Sequence, residues 1–210
     1  MLETLTQILQ GRSAEWVLWL LGALSVISLT IIFERALFLF RRRVDIRVLG
    51  YRIDALLADG NRDEALRVLG ATPGMEAIVG KKILDNIAWP HGALEDLYRS
   101  SLESEKLSYE AYLAFLATLG ANTPFIGLFG TVLGIIGAFA DLSGLQQGQS
   151  RAQAIMGSIS EALVATAVGL LVAIPAVMAF NYFQRRVDRS VSSTEVLVRA
   201  ILARYKSRVG

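Results

Sequence analysis

The chain has no cysteine, one histidine and four prolines in 210 residues, and only 19% of its residues are charged. Without cysteine there is no disulfide, no thiolate metal site and no cysteine nucleophile, and the redox compartment stays open. One histidine is too few for a histidine-built metal centre, and neither a metal nor a cofactor is expected. Charge is scarce in both signs: 21 basic residues against 19 acidic ones leave a net +2, too small and too dispersed for a nucleic-acid partner. What the chain has instead is apolar residues, 53% of the total, with a mean hydropathy of +0.47. They are bunched into long uncharged runs, which marks an integral membrane protein.

Three runs read as spans. Trp16 to Phe33 carries no charge, and after Glu34 and Arg35 the apolar run resumes at Ala36 to Phe40 before Arg41, Arg42 and Arg43. Ala111 to Ala140 is uncharged, about 45 Å of helix at roughly 1.5 Å per residue, more than a hydrocarbon core of about 30 Å needs. Ala162 to Gln184 follows, closed by Arg185, Arg186 and Arg189. A cleaved signal peptide is a poor reading of the start, because Met1 to Glu15 has two acids, one Arg and no basic n-region. Lys and Arg number one before the first span, eleven between spans one and two, one between spans two and three, and seven after span three. The positive-inside rule then puts the N-terminus outside, Arg41 to Glu110 in the cytoplasm, Asp141 to Glu161 outside and the C-terminus inside.

The cytoplasmic loop reads as folded and helical. Ile46, Leu49, Ile53 and Leu56 or Leu57 recur at helical spacing, Asp59-Gly60-Asn61 is a turn, Arg62 to Leu69 a short helix, and Thr72-Pro73-Gly74 a break. Met75 to Ala88 is another helix, broken by Trp89-Pro90-His91-Gly92. From about Ala93 to Asp141 the pattern predicts one helix of about 50 residues, bent at Pro124. Ser143 to Ser150 is a short polar loop joining spans two and three as an antiparallel pair, and Ser193 to Arg208 reads as an amphipathic helix facing cytoplasm or anionic lipid.

Spans two and three carry small and polar residues at steps of three or four. Thr123, Gly127, Thr131, Gly134, Ala138 and Asp141 share one face of span two, with Gly130 and Gly137 beside it; Ala162, Thr166, Gly169, Ala173 and Ala176 do the same in span three. Small residues let helix backbones approach where no hydrophobic force drives association, and Gly130 with Gly134 forms a GxxxG. Close packing alone would account for the glycines, and a hydroxyl bond to its own helix would account for each threonine; the alternative in both cases is a functional lining. Glu161, at the head of an apolar span, is a functional candidate by default; the alternative is an interfacial acid held by the positive end of the helix dipole. Pro175 frees the carbonyl of Leu171. Glu161 and an Asp141 at the outer edge do not make a continuous proton relay, so any proton path needs a titrating group from another chain.

Two segments resemble the MotA/TolQ/ExbB proton-channel family, and its three-span TolQ/ExbB branch in particular: Thr123 to Ile135 (TPFIGLFGTVLGI) in span two and Ile159 to Asn181 (ISEALVATAVGLLVAIPAVMAFN) in span three. The resemblance implies an all-α membrane protein whose long helices extend into a helical cytoplasmic domain, assembled as a homopentameric ring in the bacterial inner membrane. In that frame residues 1–15 are a periplasmic N-terminus, 16–40 the first span, 41–110 the cytoplasmic loop, 111–141 the second span, 142–160 a periplasmic loop, 161–184 the third span and 185–210 a cytoplasmic C-terminal helix. It further implies that the ring encloses two copies of a single-span ExbD- or TolR-like subunit, whose aspartate carries the proton. A TonB- or TolA-like periplasm-spanning protein and membrane lipid would be further partners. Carried over by position, Thr131, Thr166 and Glu161 are the proton-pathway residues. Thr123, Gly127, Gly130, Gly134, Ala138, Ala162, Gly169, Ala173 and Pro175 form the packing seam and pore wall.

The function expected from this is a pore-forming stator subunit of a proton-motive-force-driven motor. Its output would be TonB-type uptake, Tol-type envelope maintenance or gliding. The competing expectation is a non-conducting membrane scaffold in which the glycine stripes only pack helices. An intramembrane enzyme is disfavoured, because the lone histidine, His91, lies in the cytoplasmic loop. Trp16 and Trp19 read as interfacial anchors, and Glu34 and Arg35 either pair or leave the Arg to snorkel.

Overall fold

The computed structural model describes residues 15–144 and 151–209. Seven helices follow one another: α1 (Glu15–Arg41), α2 (Ile46–Ala58), α3 (Arg62–Ala71), α4 (Met75–Asp85), α5 (His91–Glu110), α6 (Leu113–Gly144) and α7 (Arg151–Val209). No strand occurs among the described residues. Three of the helices, α1, α6 and α7, contain stretches long and apolar enough to cross a membrane. The first fourteen residues and most of the expected Ser143–Ser150 loop, residues 145–150, lie outside the described residues.

The described residues divide into two compact units, one of residues 15–33, 114–144 and 151–181 and the other of residues 34–113 and 182–209. In the first, α6 and α7 run antiparallel, and their contact is set by missing side chains. A Cβ placed on Gly127 would stand 2.7 Å from the Ala165 carbonyl oxygen and 3.1 Å from the Thr166 Cα; one on Gly169 would stand 3.0 Å from the Thr123 carbonyl oxygen and 3.1 Å from the Gly127 Cα. Backbone therefore meets backbone at this crossing, which only glycine allows. Gly120 against Val177 and Gly134 against Ala162 continue the seam toward either end. Helix α1 joins through Val17, which lies within 3.0 Å of where a Gly130 Cβ would be, and packs with Leu21 and Leu133 as a buried cluster. Trp16 meets Phe129 edge to face at 6.2 Å. The remaining faces expose Phe125, Leu128, Val132, Leu163, Leu171 and Met178, the surface a helix presents to lipid or to another apolar chain.

The second unit is built by burial in the ordinary way. Asp45 caps α2, its carboxylate accepting from the N–H groups of Arg47 at 3.0 Å and Val48 at 3.4 Å. The apolar faces expected from helical spacing are buried: Leu49, Ile53 and Leu57 on α2, Val68 and Leu69 on α3, Ile83 and Leu84 on α4. Helices α2 to α5 pack in sequence, each on the next. The last part of α7 lies on α4, where a Cβ on Gly80 would meet Leu197 at 3.2 Å and Ile201 at 3.5 Å. Arg204 forks onto Asp54 at 2.7 and 2.5 Å, tying α7 to α2. Glu34 and Arg35 do pair, and the Arg35 guanidinium also donates to the Ser108 carbonyl at 3.2 Å and lies over the rings of Phe38 and Tyr112. Arg35 is 5% exposed, so it is a packed cation inside the unit and does not snorkel.

Two helix boundaries differ from the sequence expectation. The helix expected to run unbroken from about Ala93 to Asp141 is interrupted at Ala111 and Tyr112, where Ala111 is extended (φ −51°, ψ 135°) and Tyr112 takes a positive φ of 62°. No glycine or proline marks the place. A left-handed tyrosine costs about 1–2 kcal/mol, offset here by the Tyr109 and Tyr112 contacts with neighbouring helices: Tyr109 is buried, accepts a hydrogen bond from the Met75 N–H at 2.9 Å, and stacks edge to face on Phe38. Conversely, the third span and the C-terminal amphipathic segment are one continuous helix of 59 residues, since nothing between Gln184 and Ser193 stops it. Helix α6 likewise continues through Pro124.

The seam predicts opposite outcomes at two glycines. Gly127→Ala should lower the stability of the detergent-extracted protein by about 1–3 kcal/mol through overpacking against backbone. Gly137→Ala, where a Cβ would meet nothing within 4 Å, should be neutral or stabilising by up to roughly 1 kcal/mol through helix propensity. Thermal melting followed by helical circular dichroism measures both.

Candidate functional site

The polar residues of spans two and three come together along the α6–α7 seam, and the three threonines there differ in state. Thr123 is fully buried and its hydroxyl donates to the Leu119 carbonyl at 2.5 Å. Thr131 is 7% exposed and donates to the Leu128 carbonyl at 2.6 Å. Both hydroxyls are satisfied on their own helix. Thr166 is not: its Oγ1 is buried and has no hydrogen-bond partner. An unpaired buried hydroxyl costs roughly 1–3 kcal/mol, so Thr166 keeps an unused donor and acceptor at the helix crossing, beside Gly127.

Of the other expected seam residues, Gly127, Gly130, Ala138, Ala162, Gly169 and Ala173 are buried, and Gly134 is half-buried against Ala162. Pro175 is exposed within α7, so it stands off the seam. Glu161 is also exposed, at the edge of the face that Ala162 and Ala165 bury against α6. It does not sit at a helix terminus. Helix α7 begins at Arg151, ten residues earlier, and the favourable field of a helix N-terminus fades within its first turn. The dipole account of Glu161 therefore falls away. Among the described residues no group of three His, Cys, Asp or Glu side chains could hold a metal ion.

The second unit holds a buried acid that the sequence did not single out. Glu76, in the first turn of α4, is 4% exposed, and its Oε2 has no hydrogen-bond partner. Burial pushes its carboxyl above the ordinary range, against the opposing pull of its own backbone N–H, Ser190 and the Arg186 guanidinium. Tyr109, beside it, is raised as well, chiefly by burial. In the sequence Glu76 reads as an ordinary acid at a helix start, and only tertiary packing removes it from water.

With this geometry in view, residues 76–196 match the MotA/TolQ/ExbB proton channel family, more than half of the chain and a range that includes all of α6 and most of α7. The chain belongs to that family. Among its relatives, the Tol-Pal system protein TolQ of Pseudomonas aeruginosa is 46% identical over 102 residues, 46% of this chain and 42% of the relative. The biopolymer transport protein ExbB of Neisseria gonorrhoeae is 48% identical over 87 residues, covering 41% of this chain and 39% of the relative. TolQ of Haemophilus influenzae is 49% identical over 88 residues, 42% of this chain and 38% of the relative. The matched region thus spans about two-fifths of these relatives' length.

Glu76 sets a pH dependence whose sign is opposite to that of a salt-bridged carboxylate. Its folded pKa is raised above the ordinary 4.5, so the folded state holds the proton more tightly than the unfolded chain. The stabilisation is complete below pH 4.5 and is lost as pH rises through the folded value. Glu76→Gln should therefore gain in melting temperature relative to the parent as pH is raised from 4 to 7. Parallel curves for the two proteins across that range would remove Glu76 as the cause.

Proposed function

We propose that this chain is the pore-forming stator subunit of a proton-driven motor in the bacterial inner membrane, N-terminus periplasmic and C-terminus cytoplasmic. It works as a homopentameric ring around two copies of a single-span ExbD/TolR-like subunit. The observation that carries the reading is the family match across the two spans that hold Thr131, Thr166 and Glu161. In this reading proton flow becomes mechanical work on the envelope, for TonB-type uptake, Tol-type maintenance or gliding, through a TonB- or TolA-like partner. The similarity to proteins named both TolQ and ExbB supports the shared mechanism ahead of any one output.

The division of labour follows from the states of the side chains. Glu161, exposed on α7, supplies negative potential at the wall where a partner helix would pass. A carboxylate there is tolerable in an apolar environment only with water or a cation beside it. Thr166 holds the hydroxyl free to receive or pass a hydrogen bond when the partner's carboxyl or its water comes within reach. Thr131 holds the same seam but has its hydroxyl occupied, so its part is to keep that stretch of α6 polar and closely packed. The proton itself rides on the partner's acid, because Glu161 with Asp141 at the outer edge does not make a continuous relay on this chain.

A scaffold without conduction is the second reading, favoured by the self-satisfied hydroxyls of Thr123 and Thr131. Substitution separates the two. Thr131→Ala combined with Thr166→Ala should leave the ring assembled with its partner, by native mass in mild detergent. In reconstituted vesicles proton flux should fall by about tenfold or more, the size expected from losing a hydrogen bond worth roughly 1.5 kcal/mol in the rate-limiting step. Under the scaffold reading Thr166→Val removes an unpaired buried hydroxyl and so leaves function intact in a protein at least as stable. Normal proton-dependent work in an assembled double variant would overturn the assignment of these hydroxyls.

A further inference from the structure

The second unit contains a two-part groove that the proton pathway does not use. Its inner part is an apolar slot of about 300 Å³ between the end of α1 and the middle of α7, walled by Ala36, Leu39, Phe40, Tyr182 and Phe183. Its outer part is a wide mouth carrying Arg43, Arg47, Arg186 and Arg189. Arg43 and Arg186 line both parts, so slot and mouth adjoin at these two side chains. Arg43 lies 5.8 Å over the ring of Phe40, which holds a guanidinium at the junction.

None of the four arginines forms a salt bridge among the described residues; Arg186 feels the charge of the buried Glu76. The two acids in the mouth are already engaged. Asp45 caps α2 through the N–H groups of Arg47 and Val48, and Asp188 accepts from the Gln184 side chain at 3.4 Å. The mouth thus keeps a surplus of two positive charges with unused donors. In sequence it begins where the first apolar run ends, at Arg41 to Arg43, and where the third ends, at Arg185 to Arg189. That is the level of a lipid headgroup, where basic pockets between membrane helices take anionic lipids.

We propose that this groove is a binding site for an anionic phospholipid, with one acyl chain in the slot and the headgroup phosphate on Arg43 and Arg186, flanked by Arg47 and Arg189. A free phosphate would use the mouth and leave the slot unexplained. A zwitterionic lipid would use the slot and leave the charge unexplained. The site does not depend on the motor reading, since it requires only that the two apolar runs enter a bilayer.

The test uses the detergent-extracted protein, as assembled, titrated with phosphatidylglycerol, with phosphatidylcholine of the same chains, and with inorganic phosphate, and read by native mass spectrometry. Phosphatidylglycerol should bind about tenfold tighter than phosphatidylcholine. Arg43→Gln with Arg186→Gln should abolish that preference, bringing phosphatidylglycerol binding down to the level of phosphatidylcholine. Ala36→Phe, which fills the slot and keeps every arginine, should also lose phosphatidylglycerol. Equal affinity for the two lipids would overturn the proposal, as would full displacement of phosphatidylglycerol by inorganic phosphate. So would a loss of oligomer mass in the arginine variants without lipid, which would make the groove a contact between copies of the chain. If the double arginine variant fails to fold, Arg47→Gln with Arg189→Gln, both exposed, and Ala36→Phe carry the same comparison.

Discussion

Gly127 and Gly169 meet with no side chain between them, and the arrangement of the first unit depends on that contact. Inside a bilayer apolar side chains gain nothing by leaving lipid, so helices associate through close dispersion contact and through polar groups that lipid cannot serve. The glycine crossing maximises the first. It also fixes which residues lie in the seam above and below it: Gly120 beside Val177, Gly130 under Val17, Gly134 beside Ala162. Once those are set, Thr166 is enclosed with its hydroxyl unpaired, and Glu161 is turned outward.

The second unit obeys different physics. Its helices are short and amphipathic and hold together by burying Leu, Ile, Val and Met away from water. Its polar contacts join the ends of elements distant in sequence. Arg42 lies over the rings of Phe38 and Tyr109 and reaches Glu105 at 3.6 Å, while Tyr109 accepts from the start of α4. These contacts bear on the break after α5: Tyr109 is held by Met75, Phe38 and Arg42, while Tyr112 lies against Arg35.

The chain belongs to the MotA/TolQ/ExbB proton channel family, and its seam is apolar overall with a few polar atoms set into it. Three threonines of the same type on facing helices are not equivalent. Two spend their hydroxyls on the backbone four or three residues earlier, which is the low-energy choice for any threonine in an apolar helix. The third is denied that choice, and its cost is borne by the surrounding packing.

Much of the fold was legible in the chain itself. Uncharged runs of 18 residues or more define the three membrane-capable helices, and the spacing of Leu49, Ile53 and Leu57 marks the buried face of α2, because hydrophobic length and helical period are local properties. The stripe from Thr123 to Ala138 and its counterpart from Ala162 to Ala176 likewise announced a close helix pair. What the chain could not announce was every property that depends on a neighbour distant in sequence. Nothing local separates Thr166 from Thr131, makes Glu76 a buried acid, breaks the helix at Tyr112, or unites Phe40 and Arg43 with Tyr182 and Arg186 in one groove. Periodicity and charge count are carried by a residue and its near neighbours. Burial, hydrogen-bond satisfaction and pocket shape belong to pairs of segments, and only the tertiary structure decides which segments meet.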